Sequence, residues 1–183
     1  MRRSLTVFLF LVVSLYTRSA YAQDTRAFGV TMGYPASVGV LWHVTEGVAV
    51  RPEFSFDFFS SESENSSPFG GDSSSYGDAV SVGLSALFYV AKWDMTRAYV
   101  VPRYAYSRTT TSIEGPFAVL GDSTGNAHEV SVSFGAQHTL GDRFAIYGEL
   151  GVAYERGTTE ITTSELRRRA FGTRSGVGVV LYF

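Results

Sequence analysis

An all-β chain rolled into an antiparallel up-and-down barrel of eight strands is the fold class this sequence predicts, on three observations. From Ala27 onward apolar and polar residues alternate with a period of two, and helical spacing is hard to find. The alternating runs are separated by clusters of Gly, Ser, Asp and Asn, the residues that turn a chain. The chain stops inside such a run, GVGVVLYF, with no polar tail after Phe183, so the last strand is expected to face something apolar.

The elements follow in order. The first two strands, 26–33 and 37–44, carry Phe28 and Trp42 and are joined by a short link at 34–36. Strand three, 48–59, sets Val48, Val50, Pro52, Phe54, Phe56 and Phe58 on one face against Arg51, Glu53, Ser55 and Asp57 on the other. Strand four, 78–91, sets Val80, Val82, Leu84 and Phe88 against Ser81, Gly83, Ser85 and Tyr89. Strands five, 97–109, and six, 128–140, contain VVPRYAY and SVSFGAQHTL. Strand seven, 144–155, opposes Ile146, Leu150, Val152 and Tyr154 to Tyr147, Glu149, Gly151 and Glu155. Strand eight, 169–183, opposes Phe171, Val177, Val179, Leu181 and Phe183 to Gly172, Arg174, Gly176 and Gly178. A faint echo fixes these registers: SVGVLWHV, SVGLSALFYV and SVSFGAQHTL each lead through a tight turn into a returning strand.

The connections alternate. Tight turns at 45–47, 93–96 and 141–143 take one end, and longer polar segments at 60–77, 110–127 and 156–168 take the other. That is the layout of a barrel in an outer membrane, turns toward the periplasm. Period two alone leaves the apolar stripe free to point inward, as in a secreted soluble barrel of lipocalin type holding a small hydrophobic ligand, or outward into lipid. Three features favour lipid. The polar set is crowded with Gly, Ser and Ala and mixes Arg with Glu and Asp, as a narrow filled interior requires. Large aromatics gather toward both ends of the stripes: Phe28, Trp42, Phe88, Phe144 and Phe183 below, and Phe56, Phe58, Tyr106, Tyr154 and Phe171 above. Beyond Gln23, Lys92 is the one lysine, a shortage that suits an exterior largely out of water.

Segment 1–22 reads as a cleaved secretory signal: Arg2 and Arg3, an apolar run from Leu5 to Tyr16, and small residues at Ala20 and Ala22. Residues 23–183 then form the barrel domain. Removing Arg2, Arg3 and Arg18 from 15 basic residues leaves 12 against 17 acids, a net charge of −5 that argues against nucleic acid as a partner. With no cysteine, disulfides, thiolate catalysis and Cys-based zinc sites are excluded.

Inward Arg51, Glu53, Asp57, Arg103, Glu149 and Arg174 are expected to pair within the lumen, because buried charges persist only when compensated. A structural plug is the main reading and a gated polar path the second. Catalysis is not expected from His43, His128 or His138. Ser131 stands three residues after His128, on the opposite face, and Thr139 adjoins His138 and so faces away from it. Nor is a cofactor or metal site expected. Glu53, Asp57, Glu149 and Glu155 are interleaved with arginines, and Glu62, Glu64 and Asp72 read as a solvated acidic loop with at most weak cation binding.

Gly178, Leu181 and Phe183 form the pattern Gly-x-x-apolar-x-aromatic. It resembles the C-terminal targeting signal of bacterial outer-membrane barrels, and residues 23–183 together resemble the small barrels of the opacity-protein and OmpA-like transmembrane type, within the porin-like superfamily. The resemblance implies an eight-stranded transmembrane barrel, exported through the periplasm of a Gram-negative cell. It further implies recognition of the terminal signal by the barrel-assembly machinery and a non-enzymatic monomer serving envelope integrity or surface interaction through its loops. Outer-membrane lipid and lipopolysaccharide are the implied surroundings, and Arg167, Arg168 and Arg169 are placed to meet lipopolysaccharide phosphates with their guanidinium forks.

Overall fold

The computed structural model describes residues 27–63, 73–114, 123–161 and 164–183. Segment 1–22 and the loop acids Glu64 and Asp72 lie outside these residues. Eight strands follow one another: β1 (Phe28–Tyr34), β2 (Ser37–Thr45), β3 (Val48–Ser63), β4 (Ser73–Trp93), β5 (Thr96–Glu114), β6 (Ser123–Thr139), β7 (Phe144–Ile161) and β8 (Ser164–Tyr182). Each pairs antiparallel with the next, and β8 pairs with β1, closing the ring.

The registers fix the geometry of closure. Starting at Val179 and stepping across directly opposed residues, the path runs through Met32, Val38, Phe54, Val82, Tyr106, His128 and Arg156 and returns to β8 at Arg169. It comes back 10 residues from its start, the shear of this barrel. Eight strands with that stagger tilt by roughly 40° and enclose an interior that side chains can fill. At Gly141 the turn after β6 takes φ 135°, which a residue with a Cβ resists.

Both strand positions and faces match the alternation in the sequence, but the strands are longer than the sequence suggests. The ends of the segments 60–77, 110–127 and 156–168, expected as polar loops, continue the ladder wherever they are described: Ser60 pairs with Tyr76, Thr111 with Ser123 and Arg156 with Arg169. Ser and Thr cluster there, and these residues signal a loop when read locally. Here the β-branched threonines fit a wetted extension of the sheet instead.

Apolar residues face out. Leu150 is 66% exposed whereas its neighbour Glu149 is 7% exposed, and Val82, Leu84, Val130 and Phe134 are exposed in the same way. The soluble lipocalin-type alternative, which needs this stripe buried, is thereby corrected. Of the ten girdle aromatics all but the half-buried Phe88 and Tyr106 are exposed. Toward the tight-turn end the lumen is closed by Leu41, Leu87, Tyr99, Val101, Tyr147, Val180 and Tyr182, an apolar and phenolic floor that the polar reading of the inner face did not anticipate.

Candidate functional site

Above that floor, six charged side chains from five strands form one ring. Arg51 on β3 places Nε 2.9 Å from Glu53 Oε1, an ion contact without a linear hydrogen bond, and Nη2 2.8 Å from Glu149 Oε1 on β7. Arg103 on β5 holds Glu53 Oε2 through Nε at 2.7 Å and Glu129 Oε1 on β6 through Nη1 at 2.7 Å. Arg174 on β8 approaches Glu129 at 3.3 Å and Glu149 at 4.0 Å. The circuit Arg51, Glu53, Arg103, Glu129, Arg174, Glu149 alternates in sign and closes on itself. Three positive and three negative charges balance around Arg51, Glu53 and Glu149, which are nearly out of reach of water, while Glu129 and Arg174 on the upper side stay partly wetted; charge balance of this kind is the condition for burying any of them.

Neighbours complete the coordination. Tyr99 donates its hydroxyl to Glu149 Oε1 at 3.0 Å, Ser85 donates to Glu53 Oε2 at 3.3 Å, and the Arg51 guanidinium lies 5.0 Å from the centroid of the Tyr147 ring. Gln137 donates to the Tyr182 hydroxyl at 2.6 Å, tying the polar layer to the floor. Missing side chains make room for the rings. A Cβ at Gly135 would stand 2.5 Å from the Tyr99 ring, and one at Gly178 would stand 2.6 Å from the Tyr147 hydroxyl.

Five of the six expected lumen residues therefore meet: Arg51, Glu53, Arg103, Glu149 and Arg174. Asp57 does not. It lies further up β3 where the barrel is open, is exposed, and makes no ion pair among the described residues. The acid that fills its place is Glu129, and its signal was available: in HEVSVSF, Glu129, Ser131 and Ser133 share a face opposite Val130, Val132 and Phe134. Of the terminal residues, Gly178 faces inward beneath Tyr147, while Leu181 and Phe183 face outward, Phe183 being 72% exposed and donating its backbone N–H to Phe28 O at 3.2 Å. Arg167, Arg168 and Arg169 are all exposed on β8. Arg167 reaches Glu165 at 2.8 Å, and Arg169 stands opposite Arg156.

The histidines are dispersed. His43 stacks on Tyr89 inside the lumen, His138 Nδ1 is 2.8 Å from the Thr96 hydroxyl, and His128 lies outside with its Nδ1 2.7 Å from the Tyr104 hydroxyl. Ser131 is buried in the lumen, across the wall from His128. Among the described residues no three His, Cys, Asp or Glu side chains converge as a metal site, and no helix is long and apolar enough to cross a membrane.

No protein-family model and no curated protein matches the chain. Solved structures do. A major outer membrane protein from Thermus thermophilus superposes with a TM-score of 0.58 at 13% identity, covering 85% of this chain and 98% of that one. CarO2 of Acinetobacter baumannii superposes with a TM-score of 0.46 at 11% identity, covering 86% and 98%. CarO of the same organism gives 0.44 at 13% identity, covering 89% and 100%. The first of these shares the fold, so the architecture is that of the small outer-membrane β-barrels.

Proposed function

We propose that this chain is an integral outer-membrane protein of a Gram-negative bacterium, a non-enzymatic monomeric barrel with a plugged lumen. Its role is envelope integrity or surface interaction through the long ends of its strands. One observation carries the reading: the wall is inside out relative to a soluble protein, with a belt of exposed Val, Leu, Ile and Phe around an inward-facing ring of ion pairs. An apolar surface that encircles the molecule between two aromatic bands suits acyl chains and would aggregate in water. The alternating ring and the floor beneath it support a structural plug over a gated path, since every ring charge is met by an opposite one.

Segment 1–22 acts in this reading as an export signal that is removed, leaving 23–183 as the barrel domain. Gly178, Leu181 and Phe183 present the end of β8 to the barrel-assembly machinery. Arg167 and Arg169, with Arg156 opposite Arg169, stand just above the Tyr154–Phe171 pair, where lipopolysaccharide phosphates would lie. The test is fractionation followed by gel mobility. The chain should pellet with outer membranes, dissolve only in detergent, and shift its mobility in SDS when boiled. Recovery in the soluble fraction, or no shift on boiling, refutes it.

A further inference from the structure

The cations of the outer wall are gathered on one side. Among the described residues, the Lys and Arg of β1 to β4 are Arg51, inside the lumen, and Lys92, near a tight turn. On β5 to β8 the outward face instead carries Arg108, His128, Arg156, Arg167 and Arg169, all exposed, above the aromatic residues Tyr106, Tyr154 and Phe171. The parity that turns Tyr154 and Phe171 outward turns these five outward as well. Arg168 has the parity of Arg174 and points to the inner side.

The registers bring the outward cations together. His128 is directly opposite Arg156, and Arg156 directly opposite Arg169, so three basic side chains stand in one row across three strands. Arg108 is opposite Asn126, which lies two residues above His128. At the spacing and tilt of this barrel, a step to the next strand along such a row climbs about 3 Å, and two residues along a strand climb about 5 Å. Arg108, His128, Arg156 and Arg169 therefore fall within a band about 6 Å high that begins at the girdle. Arg108 lies about 12 Å from Arg156 along the sheet and at nearly the same height.

Like charges directly opposed on a sheet destabilise it. Arg167 has an answer in Glu165, at 2.8 Å. Arg108, Arg156 and Arg169 make no ion pair among the described residues. On β4 the exposed acid Asp78 ends the patch. Polar neighbours are set to donate alongside the guanidinium groups. Tyr106 donates its hydroxyl to Asn126 Oδ1 at 2.9 Å, which leaves the Asn126 amide N–H groups for another acceptor. The Tyr104 hydroxyl is 2.7 Å from His128 Nδ1, and by donating there it puts the ring proton on Nε2.

We propose that this face binds one lipopolysaccharide by both phosphates of its lipid A disaccharide. The phosphate at one end accepts from Arg156 and Arg169, with His128 beside them, and relieves the repulsion along that row. The phosphate at the other end accepts from Arg108 and the Asn126 amide. The sugar rings bridge β6, and acyl chains descend over Val130, Val132 and Val152, which are exposed below. Two anionic groups on a rigid spacer match two separated groups of cations, whereas a phospholipid with one phosphate reaches only one of them. The site presupposes the outer-membrane reading, which sets the long-strand end in the lipopolysaccharide leaflet, and adds to it one side of the barrel and a second phosphate.

The full chain, extracted and washed in non-ionic detergent, is offered bisphosphoryl lipid A or monophosphoryl lipid A and examined by native mass spectrometry. One bisphosphoryl lipid A should be retained per barrel, about tenfold more tightly than the monophosphoryl form, as the charged hydrogen bonds of a second phosphate require. An equal amount of phosphatidylglycerol should not displace it. Arg108→Gln should bring the bisphosphoryl form down to the monophosphoryl level, and Arg156→Gln combined with Arg169→Gln should weaken both forms by about tenfold or more. Arg143→Gln, in a turn at the opposite end, should change neither. Equal retention of the two forms by the original chain, displacement by phosphatidylglycerol, or undiminished discrimination in Arg108→Gln overturns the site. Each sample is also run unboiled in SDS. A compact barrel of the original chain that keeps neither form overturns the site alone, whereas an original chain without heat-modifiable mobility overturns the membrane reading and the site with it.

Discussion

Gly178 shows how much one missing methyl group decides. Its Cβ would collide with both the Tyr147 ring and Met32 O, so Gly178→Val should lower stability by about 1–3 kcal/mol through overpacking. Urea unfolding in lipid vesicles measures this, and an unchanged midpoint would show that the ring swings aside freely. Arg51 shows the opposite vulnerability. It is almost fully buried between Glu53 and Glu149, so Arg51→Met leaves Glu53 with Arg103 as its one close cation and Glu149 with only the distant Arg174, and should cost about 3–5 kcal/mol by the same measurement. Arg174→Met should cost clearly less, since its contacts are longer and its side chain partly wetted. At this scale the sequence was legible by parity alone. Parity put Arg51, Glu53, Arg103, Glu149 and Arg174 inside, but Asp57 has the same parity and stands too high on β3 to be covered. Height depends on the stagger between strands, and a single strand's pattern does not contain it.

Each strand is a two-sided object whose faces answer to different solvents, and that is why strand identity and face were readable while strand ends were not. Alternation persists where one face meets lipid and lapses where both meet water, so 60–63, 73–77, 110–114 and 123–127 looked like parts of loops although they pair. The depth of the apolar belt can be probed along one strand. On β7, Leu150→Arg lies within the belt and should destabilise the folded barrel by about 2–4 kcal/mol, whereas Thr158→Arg, two turns of the pleat above Tyr154, should change it by less than about 1 kcal/mol. Equal costs at the two positions would mean that the belt has been placed at the wrong height.

For the whole molecule, the sidedness of the barrel sets where its reporters sit. Trp42 and Trp93 are its two tryptophans, and both are exposed on the outer face near the tight-turn end. In vesicles of brominated lipids, their fluorescence should be quenched more by bromines near the headgroup than by bromines at mid-chain. Strongest quenching at mid-chain would shift the barrel along the normal by about half a leaflet. The ring of six charges also bears on how the cylinder is made. Its members are contributed by strands as far apart in the chain as β3 and β8, and Glu129 and Glu149 share one arginine from β8, Arg174. A sheet rolled from seven strands would leave both acids undercompensated beside hydrocarbon. Docking of the final strand is then what makes the interior electrically neutral, and a half-shut intermediate has no comfortable place to rest.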